Sequence, residues 1–255
     1  MAASHVLRLA KLKGSGKILA AARHNRRTIQ NEIGAGRHID AMRSSLNYSL
    51  AGVETPEAIA GEAKAMMQAA GIEKPRKDFV AAVEIIYSLP INHGVNERVF
   101  FADCLEWTHS HFGCHVLSFD VHLDESTPHA HALLLPLVDG HLTGSDMVGN
   151  RARLKALQVA FFADVGVKHG LQKPIPRLSG QAKAKTENRV LNQLKSDPAM
   201  QSVLWPRIRD LIRNDPASFA SLLGLAVAKT KPNKSAVAIM TSRGKGSNPI
   251  GFNTS

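Results

Sequence analysis

The amino-acid sequence predicts an α+β fold, in which an antiparallel sheet is flanked by helices. Segments with strand-like and helix-like hydrophobic periodicity alternate along the 255 residues. Two apolar strands, 115–122 and 129–138, are joined by a short loop that begins at Leu123 and ends at Pro128. Such a loop is too short for the crossover that parallel strands need, so at least this pair is antiparallel.

The other elements follow from periodicity and from the placement of glycine and proline. The predicted strands outside the pair are 3–11 and 79–89, and the predicted helices are 17–23, 57–70, 97–110 and 150–170. The polar, basic segment 22–50 predicts a binding loop followed by a short helix. Two more helical patterns follow the prolines at 174 and 176, and the second begins at Pro216, a favoured first helical position.

Three regions are predicted along the chain. Residues 1–190 form one domain, and 191–228 form a helical extension. The tail, 229–255, is basic and rich in Lys, Ser, Gly and Asn, so it is predicted to be disordered.

The charge of the chain is strongly positive and unevenly spread. The net charge is +11, and the excess lies in 1–50, 168–195 and 229–255, whereas 51–167 is net acidic. Segregated positive charge favours a polyanion such as nucleic acid, with a basic solvated surface as the alternative. Cys104 and Cys114 form no CxxC pair, and the longest apolar stretch is too short to span a bilayer. We therefore expect a cytoplasmic protein with no stable membrane insertion.

A histidine cluster is the strongest chemical signal, within the motif His122-Leu-Asp-Glu-Ser-Thr-Pro-His129-Ala-His131. Side chains two apart on a strand share a face, so His129 and His131 project together, and the turn brings His122 opposite them. Three imidazoles without a cysteine leave coordination positions open, as catalytic metals need. Glu125, in the turn, is placed to orient an imidazole or to bind metal-bound water. A structural role for three satisfied core histidines is the alternative.

A basic segment that contains histidine and tyrosine is the second signal. Arginine can bind phosphate oxygens with two hydrogen bonds, and asparagine can hydrogen-bond to base edges or sugars. The segment therefore predicts a clamp on the DNA backbone. A basic solvated loop is the alternative. The predicted DNA-binding residues here are Arg23, Asn25, Arg26, Arg27, Arg43, Asn47 and Tyr48. The histidine and tyrosine inside this clamp, His24 and Tyr48, make it a clamp with a nucleophile candidate.

An acidic residue inside an apolar strand is the third signal. Glu84 lies within Phe79–Leu89, where an unpaired carboxylate would be costly. We expect a buried Glu84 to titrate high and to serve as a general base or to orient a histidine. The alternative places it on the exposed face of an edge strand.

Together these motifs resemble the Mob/Pre plasmid mobilisation relaxases of the MobV type. The similarity rests on His-Asn-x-Arg at 24–27, Asn-Tyr-x-Leu at 47–50, the acid-bearing strand at Glu84 and His-x-Asp-Glu-x-Thr-Pro-His-x-His at 122–131. A weaker match at 179–186 resembles the basic segment that closes the relaxase domain, with Lys183 and Lys185 as DNA contacts. Two departures, Gly36-Arg37-His38 before Ile39-Asp40 and Ala184 where histidine is common, affect origin contacts rather than the chemistry.

The resemblance implies a histidine-metal-histidine (HUH) endonuclease fold and nicking–joining of one strand at a plasmid transfer origin. His24 would be the nucleophile and would form a covalent link to the 5′-phosphate, and Glu84 and Glu125 would assist. His122, His129 and His131 would hold one divalent metal, Mn²⁺ or alternatively Mg²⁺. The partners would be origin DNA, duplex and single-stranded, and the conjugation coupling machinery. The alternatives are a replication initiator or transposase that uses Tyr48, and a non-catalytic metal-containing DNA-binding protein.

Overall fold

The computed structural model describes residues 6–29, 32, 39–91, 93–173 and 178–227. By its internal contacts the chain divides into two compact units, 1–174 and 175–255. Each unit is described by itself.

A five-stranded sheet forms the centre of the first unit. Its strand order is β1-β3-β5-β4-β2, and every neighbouring pair is antiparallel. A small hairpin of two further strands follows the sheet. The strands are β1 (Val6–Lys13), β2 (Tyr48–Gly52), β3 (Val80–Ser88), β4 (His115–His122), β5 (His129–Leu135), β6 (Leu137–Val138) and β7 (His141–Leu142). The predicted α+β class with an antiparallel sheet is confirmed.

Three of the helices described in the first unit begin at residues whose side chains satisfy free backbone N–H groups. The side chains of Thr55, Asn96 and Asn150 accept hydrogen bonds at the starts of α2, α3 and α5. Helix α3 ends at Gly113, whose φ of 58° is left-handed and therefore suits glycine. The helices are α1 (Lys17–Asn25), α2 (Pro56–Ala69), α3 (Glu97–Phe112), α4 (Gly144–Val148) and α5 (Arg151–Phe161), with a 3-10 turn at Ser44–Leu46 and a π-helical turn at Phe162–Gly166.

The two faces of the sheet have different surroundings. On one face, aromatic and aliphatic side chains such as Tyr87 and Phe119 pack with Trp107 of α3 and Phe161 of α5 to form the main core. On the other face, α1 and α2 cover apolar residues that include Leu133. His131 lies two residues before Leu133 on β5 and therefore shares its face. The first face of the sheet is thus covered by the main core. The second face carries polar side chains, including His131, at one end.

Three elements differ from the sequence prediction. Strand β2 begins inside the segment 22–50, which was expected to be a loop and a short helix. It was missed because an edge strand has only one paired neighbour and here shows a weak apolar pattern. The predicted strand 129–138 breaks at Pro136, which has no N–H to donate to a ladder. The predicted helix 150–170 keeps α-helical geometry only to Phe161 and continues as the π-helical turn.

The described residues of the second unit, 178–227, form three short helices, one more than predicted, and a 3-10 turn at Pro198–Gln201. The helices are α6 (Gly180–Gln193), α7 (Trp205–Asn214) and α8 (Pro216–Leu222). Val190, Ile212 and Ala220 form its small core. The predicted domain boundary after residue 190 therefore falls inside α6, and the division by contacts comes earlier, after residue 174. The tail 229–255 lies outside the described residues. Among the described helices, none has the length and apolarity needed to cross a membrane.

Candidate active site

Strand pairing brings three histidines together at one end of the sheet. His122, the last residue of β4, pairs directly with His129, the first residue of β5. His131 follows two residues later on the same face. One ring nitrogen of each histidine lies within 4.8 Å of the other two, and the three side chains are buried. The convergence predicted from the sequence is present.

Each of these imidazoles is held by its other ring nitrogen. Nε2 of His122 lies 2.7 Å from the backbone oxygen of Asn25, and Nδ1 of His129 lies 2.9 Å from the backbone oxygen of Thr127. Nδ1 of His131 lies 2.9 Å from Oε1 of Glu84. Because carbonyl and carboxylate oxygens accept, these ring nitrogens carry the protons. The lone pairs therefore belong to Nδ1 of His122 and to Nε2 of the other two.

The electrostatics favour the neutral form of two of these histidines, His122 and His129. Burial, together with the nearby charges of His131 and Arg27, lowers the pKa of His122 to about 2. Burial also lowers the pKa of His129. Neutral imidazole is the form that binds a metal ion.

The facing lone pairs fit a shared cation. Nδ1 of His122 and Nε2 of His129 lie 3.3 Å apart. Two imidazole nitrogens that each bind one metal at about 2.1 Å stand roughly 3.0–3.4 Å apart for bond angles between about 90° and 110°. Without a cation these lone pairs would repel each other, since both protons are engaged elsewhere. His122, His129 and His131 are thus the residues that could hold a metal.

His24 lies beside this cluster, in the last turn of α1. Its ring centroid is 5.6 Å from that of His131 and 6.4 Å from that of His122. Its Nδ1 is 2.7 Å from Oε2 of Glu32, and its side chain is 38% exposed. Because the carboxylate accepts, neutral His24 directs the proton of Nδ1 to Glu32 and keeps the lone pair on Nε2. Glu32 was not predicted from the sequence, since a contact between residues eight apart does not follow from helix or strand periodicity.

Glu84 has a different neighbour from the one expected. Its carboxylate accepts from the metal-site residue His131, and Glu32 rather than Glu84 contacts His24. The expectation that Glu84 titrates high is wrong. Burial raises the pKa of Glu84, but the hydrogen bond and charge of His131 outweigh it, so the net pKa is lowered. Glu84 is therefore placed to orient a metal ligand.

The guanidinium of Arg27 binds carboxylates of the protein itself. Its φ of 55° is left-handed, which is uncommon for a residue other than glycine. Its guanidinium donates to Asp124 at 3.0 and 2.7 Å and to Glu125 at 2.8 Å. Only 8% of its side chain is exposed. Contact of Arg27 with DNA stays a prediction that this geometry does not favour, because its Nε and Nη2 are already occupied by two carboxylates.

Asp124 is the centre of this network. It is fully buried, and it also accepts from Ser44 at 3.0 Å and from Asn47 at 2.7 Å. Burial raises its pKa, but the hydrogen bonds, above all that from Arg27, lower it to about 2. The side-chain oxygen of Asn47 accepts from the backbone of Leu123. Asn47, predicted to contact DNA, therefore joins its own loop to the turn between β4 and β5.

The other predicted DNA contacts divide into internal and exposed groups. Arg26 donates to Ser49 and to the backbone of Val53, and Arg43 donates to the backbone of Leu123 and Glu125. Asn25 is buried. Arg23 is half exposed, although it donates to Glu57. The two lysines, Lys183 and Lys185, belong to α6 in the second unit.

Glu125 and Tyr48 also have defined surroundings. Oε1 of Glu125 lies 3.7 Å from Nε2 of His129 and is held by Arg27. The guanidinium of Arg98 lies 4.5 Å from the ring centre of Tyr48, on β2. Burial raises the pKa of Tyr48. Glu125 thus borders the metal cluster, whereas the phenol of Tyr48 stays protonated at neutral pH.

Replacing Asp124 with alanine is expected to destabilise the first unit by about 3–5 kcal/mol, because it leaves the guanidinium of Arg27 buried with one carboxylate instead of two. The free energy of unfolding would be measured in urea by tryptophan fluorescence. A Trp205→Phe background leaves Trp107 as the only tryptophan, so the signal reports on the first unit.

The matched control is Asp78→Ala, which breaks the exposed pair of Asp78 with Arg76. We expect it to change stability by no more than about 0.5 kcal/mol. Equal losses for the two variants would show that the Arg27–Asp124 network does not hold the site together.

The family profile and the similar proteins agree on one family. The profile of the family Mob_Pre, described as plasmid recombination enzyme, matches residues 1–190. A plasmid recombination enzyme type 1 of Staphylococcus aureus is 26% identical over 222 residues, which are 80% of this chain and 52% of that protein. A plasmid recombination enzyme of Streptococcus agalactiae is 28% identical over 71% of this chain and 37% of its own length. The chain thus spans about half, or less, of these relatives.

A solved structure agrees with this similarity. The relaxase domain of MobM (MOBV; Mob_Pre), bound to Mn and to origin-of-transfer DNA of plasmid pMV158, matches with a TM-score of 0.60 and 25% identity. The match covers 71% of this chain and 97% of that domain. A second crystal structure of the same Mn-bound domain with origin DNA, at pH 5.5, matches with a TM-score of 0.58.

Proposed function

Because this chain belongs to the Mob_Pre family of plasmid recombination enzymes, we propose that it is a relaxase that nicks and rejoins one DNA strand at a plasmid transfer origin. One observation carries the proposal. His24, with the lone pair on Nε2, lies beside three imidazoles whose potential ligand nitrogens converge. A nucleophile next to a cation site that can bind a phosphate oxygen suits phosphodiester cleavage.

We propose that His122, His129 and His131 hold one divalent metal ion, Mn²⁺ or alternatively Mg²⁺. The Mn in the similar MobM domain supports this choice. The three imidazoles leave coordination positions for oxygen atoms of the substrate. When bound, the ion supplies positive charge next to the phosphate as negative charge develops there.

The protein's own residues would carry out the remaining chemistry. Nε2 of His24 attacks phosphorus, a P–N bond forms, and the bond from phosphorus to the 3′-oxygen breaks. The 3′-oxygen leaves with the bonding electrons and takes a proton from water. Glu32 balances the positive charge of the phosphorylated imidazole or accepts the proton of its Nδ1. Attack by the freed 3′-hydroxyl reverses these steps and reseals the strand.

The surroundings of Tyr48 favour His24 as the nucleophile. The phenol of Tyr48 is buried, with its pKa raised, and among the described residues no base accepts its proton. His24 is more exposed and has Glu32 as an acceptor. A replication initiator or transposase that uses Tyr48 is therefore the less supported function.

The substrate and partners follow from the same proposal. We propose that Arg23, Lys183, Lys185 and the basic tail contact DNA phosphates, because internal acceptors bind Arg26, Arg27 and Arg43. Electrostatic contacts of this kind hold both duplex and single strands. Plasmid DNA places the reaction in the cytoplasm, and transfer of the nicked strand would require the conjugation coupling machinery.

The test is nicking of a supercoiled plasmid that carries the cognate origin. With Mn²⁺ the full chain is expected to convert supercoiled plasmid to open circles, and EDTA is expected to stop the conversion. A plasmid without the origin is the control. Equal conversion with and without chelator would contradict a metal-dependent relaxase, and binding without any nicking would favour a DNA-binding regulator.

A further inference from the structure

Three polar side chains form a cluster between the end of α1 and the strands β2 and β4. They are Arg26, the first residue after α1, Ser49 on β2 and Asp120 on β4. Ser49 and Asp120 are direct partners across the two strands, so their side chains lie on the same face of the sheet. Asp120 is in turn the cross-strand partner of His131 on β5. The Arg26–Ser49–Asp120 cluster therefore lies in the same row of the sheet as a proposed metal ligand.

The contacts within this cluster are continuous. Nη1 of Arg26 donates to Oγ of Ser49 at 2.6 Å, and that hydroxyl donates to Oδ1 of Asp120 at 2.6 Å. Oδ1 of Asp120 also lies 3.2 Å from Nε of Arg26, which makes an ion pair. Nη2 of Arg26 donates to the backbone oxygen of Val53 at 2.8 Å. Arg26 thus joins the end of α1 to β2, to β4 and to the residue that follows β2.

The ion pair of this cluster is buried. The side chain of Asp120 is 3% exposed and that of Arg26 is 15% exposed. A buried charge is costly unless it is paired, and a buried ion pair often stabilises a protein no more than apolar side chains of similar volume would. The pair is therefore better explained by the geometry that it fixes than by a gain in net stability.

The segment that the cluster holds carries the proposed nucleophile. Helix α1 ends at Asn25, and the left-handed Arg27 turns the chain away from the helical direction. No further helical turn supports the last one, so side-chain contacts hold it in place. His24 lies in that turn, two residues before Arg26, and the backbone oxygen of Asn25 lies 2.7 Å from Nε2 of His122. A shift of this turn would move His24 relative to the metal ligands.

We propose that Asp120 is a positioning residue for the nucleophile His24. Acting through Ser49 and Arg26, it holds the last turn of α1 at a fixed distance from the histidine cluster. The inference rests on the proposed function, and it requires no contact of Asp120 with DNA or with the metal ion. A displacement of about 1 Å between reacting groups can slow a reaction roughly 100-fold. The cluster therefore controls the rate of strand cleavage rather than the binding of DNA.

The experiment measures single-turnover cleavage of an origin oligonucleotide by the full chain. DNA and Mn²⁺ are saturating for each variant, so that differences in affinity do not enter the rate constant. Asp120→Asn keeps the shape of the side chain but removes its charge, and we expect cleavage to be about 10–100-fold slower than in the wild type. Ser49→Ala removes the hydroxyl between Arg26 and Asp120 but keeps both charges. It should slow cleavage about 5–10-fold, and it tests the proposal if Asp120→Asn does not fold.

Two further measurements separate positioning from a loss of binding or folding. The affinity for DNA, measured with EDTA so that no cleavage occurs, should change by less than about twofold, because an effect on positioning lowers the rate and not the binding. The fraction of protein that finally forms the adduct should stay at the wild-type value. Partial unfolding would lower that fraction and leave the rate constant of the folded protein unchanged.

Arg26→Lys tests whether Asp120 acts through Arg26. Lysine keeps the charge but lacks the fork of donors that contacts both Ser49 and Val53. The double variant with Asp120→Asn should be at most about threefold slower than the slower single variant, because the two residues belong to one cluster. Independent effects would multiply.

Glu57→Gln is the matched control on the same helix. It breaks the exposed ion pair of Glu57 with Arg23 of α1 and should keep the wild-type rate constant at saturating DNA. Two results would overturn the role of Asp120 while leaving the proposed function in place. One is a wild-type rate constant in both Asp120→Asn and Ser49→Ala, and the other is multiplication of the single effects in the double variant. A wild-type chain that forms no adduct with the origin oligonucleotide would instead contradict the proposed function.

Discussion

Replacing His24 with alanine is expected to abolish the covalent protein–DNA adduct. The imidazole supplies the only atom that bonds to phosphorus in the proposed reaction, so no residual adduct should form. A single-stranded origin oligonucleotide whose cleavage releases a short fragment would trap the wild-type adduct, which is measured by gel shift under denaturing conditions. Tyr48→Phe should keep the adduct, because its hydroxyl takes no part in bond formation.

The chemical stability of the adduct provides an independent control. A histidine phosphoramidate is labile in acid and survives alkali, whereas a tyrosine phosphodiester survives acid. The trapped adduct should therefore disappear after acid treatment. Glu32→Gln should slow adduct formation without preventing it, since the amide still positions Nδ1 but cannot accept its proton. An acid-stable adduct that is lost in Tyr48→Phe would assign the reaction to tyrosine.

Replacing His129 with alanine is expected to remove both metal binding and metal-dependent nicking. Nε2 of His129 lies 3.3 Å from the lone-pair nitrogen of His122, so its loss takes one of three converging ligands. Bound Mn²⁺ would be measured by electron paramagnetic resonance after dialysis. Binding of duplex DNA should persist, because the exposed basic residues are unchanged.

Two further variants test where the metal lies. Glu84→Gln should lower metal affinity about 10–100-fold, because the carboxylate orients His131. His109→Ala changes an exposed histidine outside the cluster and should leave metal content and nicking unchanged. Wild-type metal content together with wild-type nicking in His129→Ala would show that the histidine cluster is not the metal site.

The sequence predicted the metal cluster well because local rules determine its geometry. Alternation along β5 puts His129 and His131 on one face, and the short turn after β4 brings His122 opposite. These relations involve neighbours in one hairpin. The same rules predicted the antiparallel pairing and the helices α2 and α3.

Long-range contacts explain what the sequence could not predict. Arg27 and Asp124 are 97 residues apart, so their pairing depends on how α1 and the β4–β5 turn meet. The basic composition of the segment suggested DNA contact, although most of its arginines bind protein acceptors. The neighbours of Glu84, rather than its burial, likewise determine the direction of its pKa shift.

The most direct test of His24 as the nucleophile is to identify the residue that becomes covalently linked to the DNA. The trapped adduct would be digested with trypsin and a nuclease, and the peptide with the remaining nucleotide would be sequenced by mass spectrometry under neutral or alkaline conditions. We expect the nucleotide to be attached through phosphorus to His24. Attachment to Tyr48, or to any residue away from the cluster of His122, His129 and His131, would contradict it.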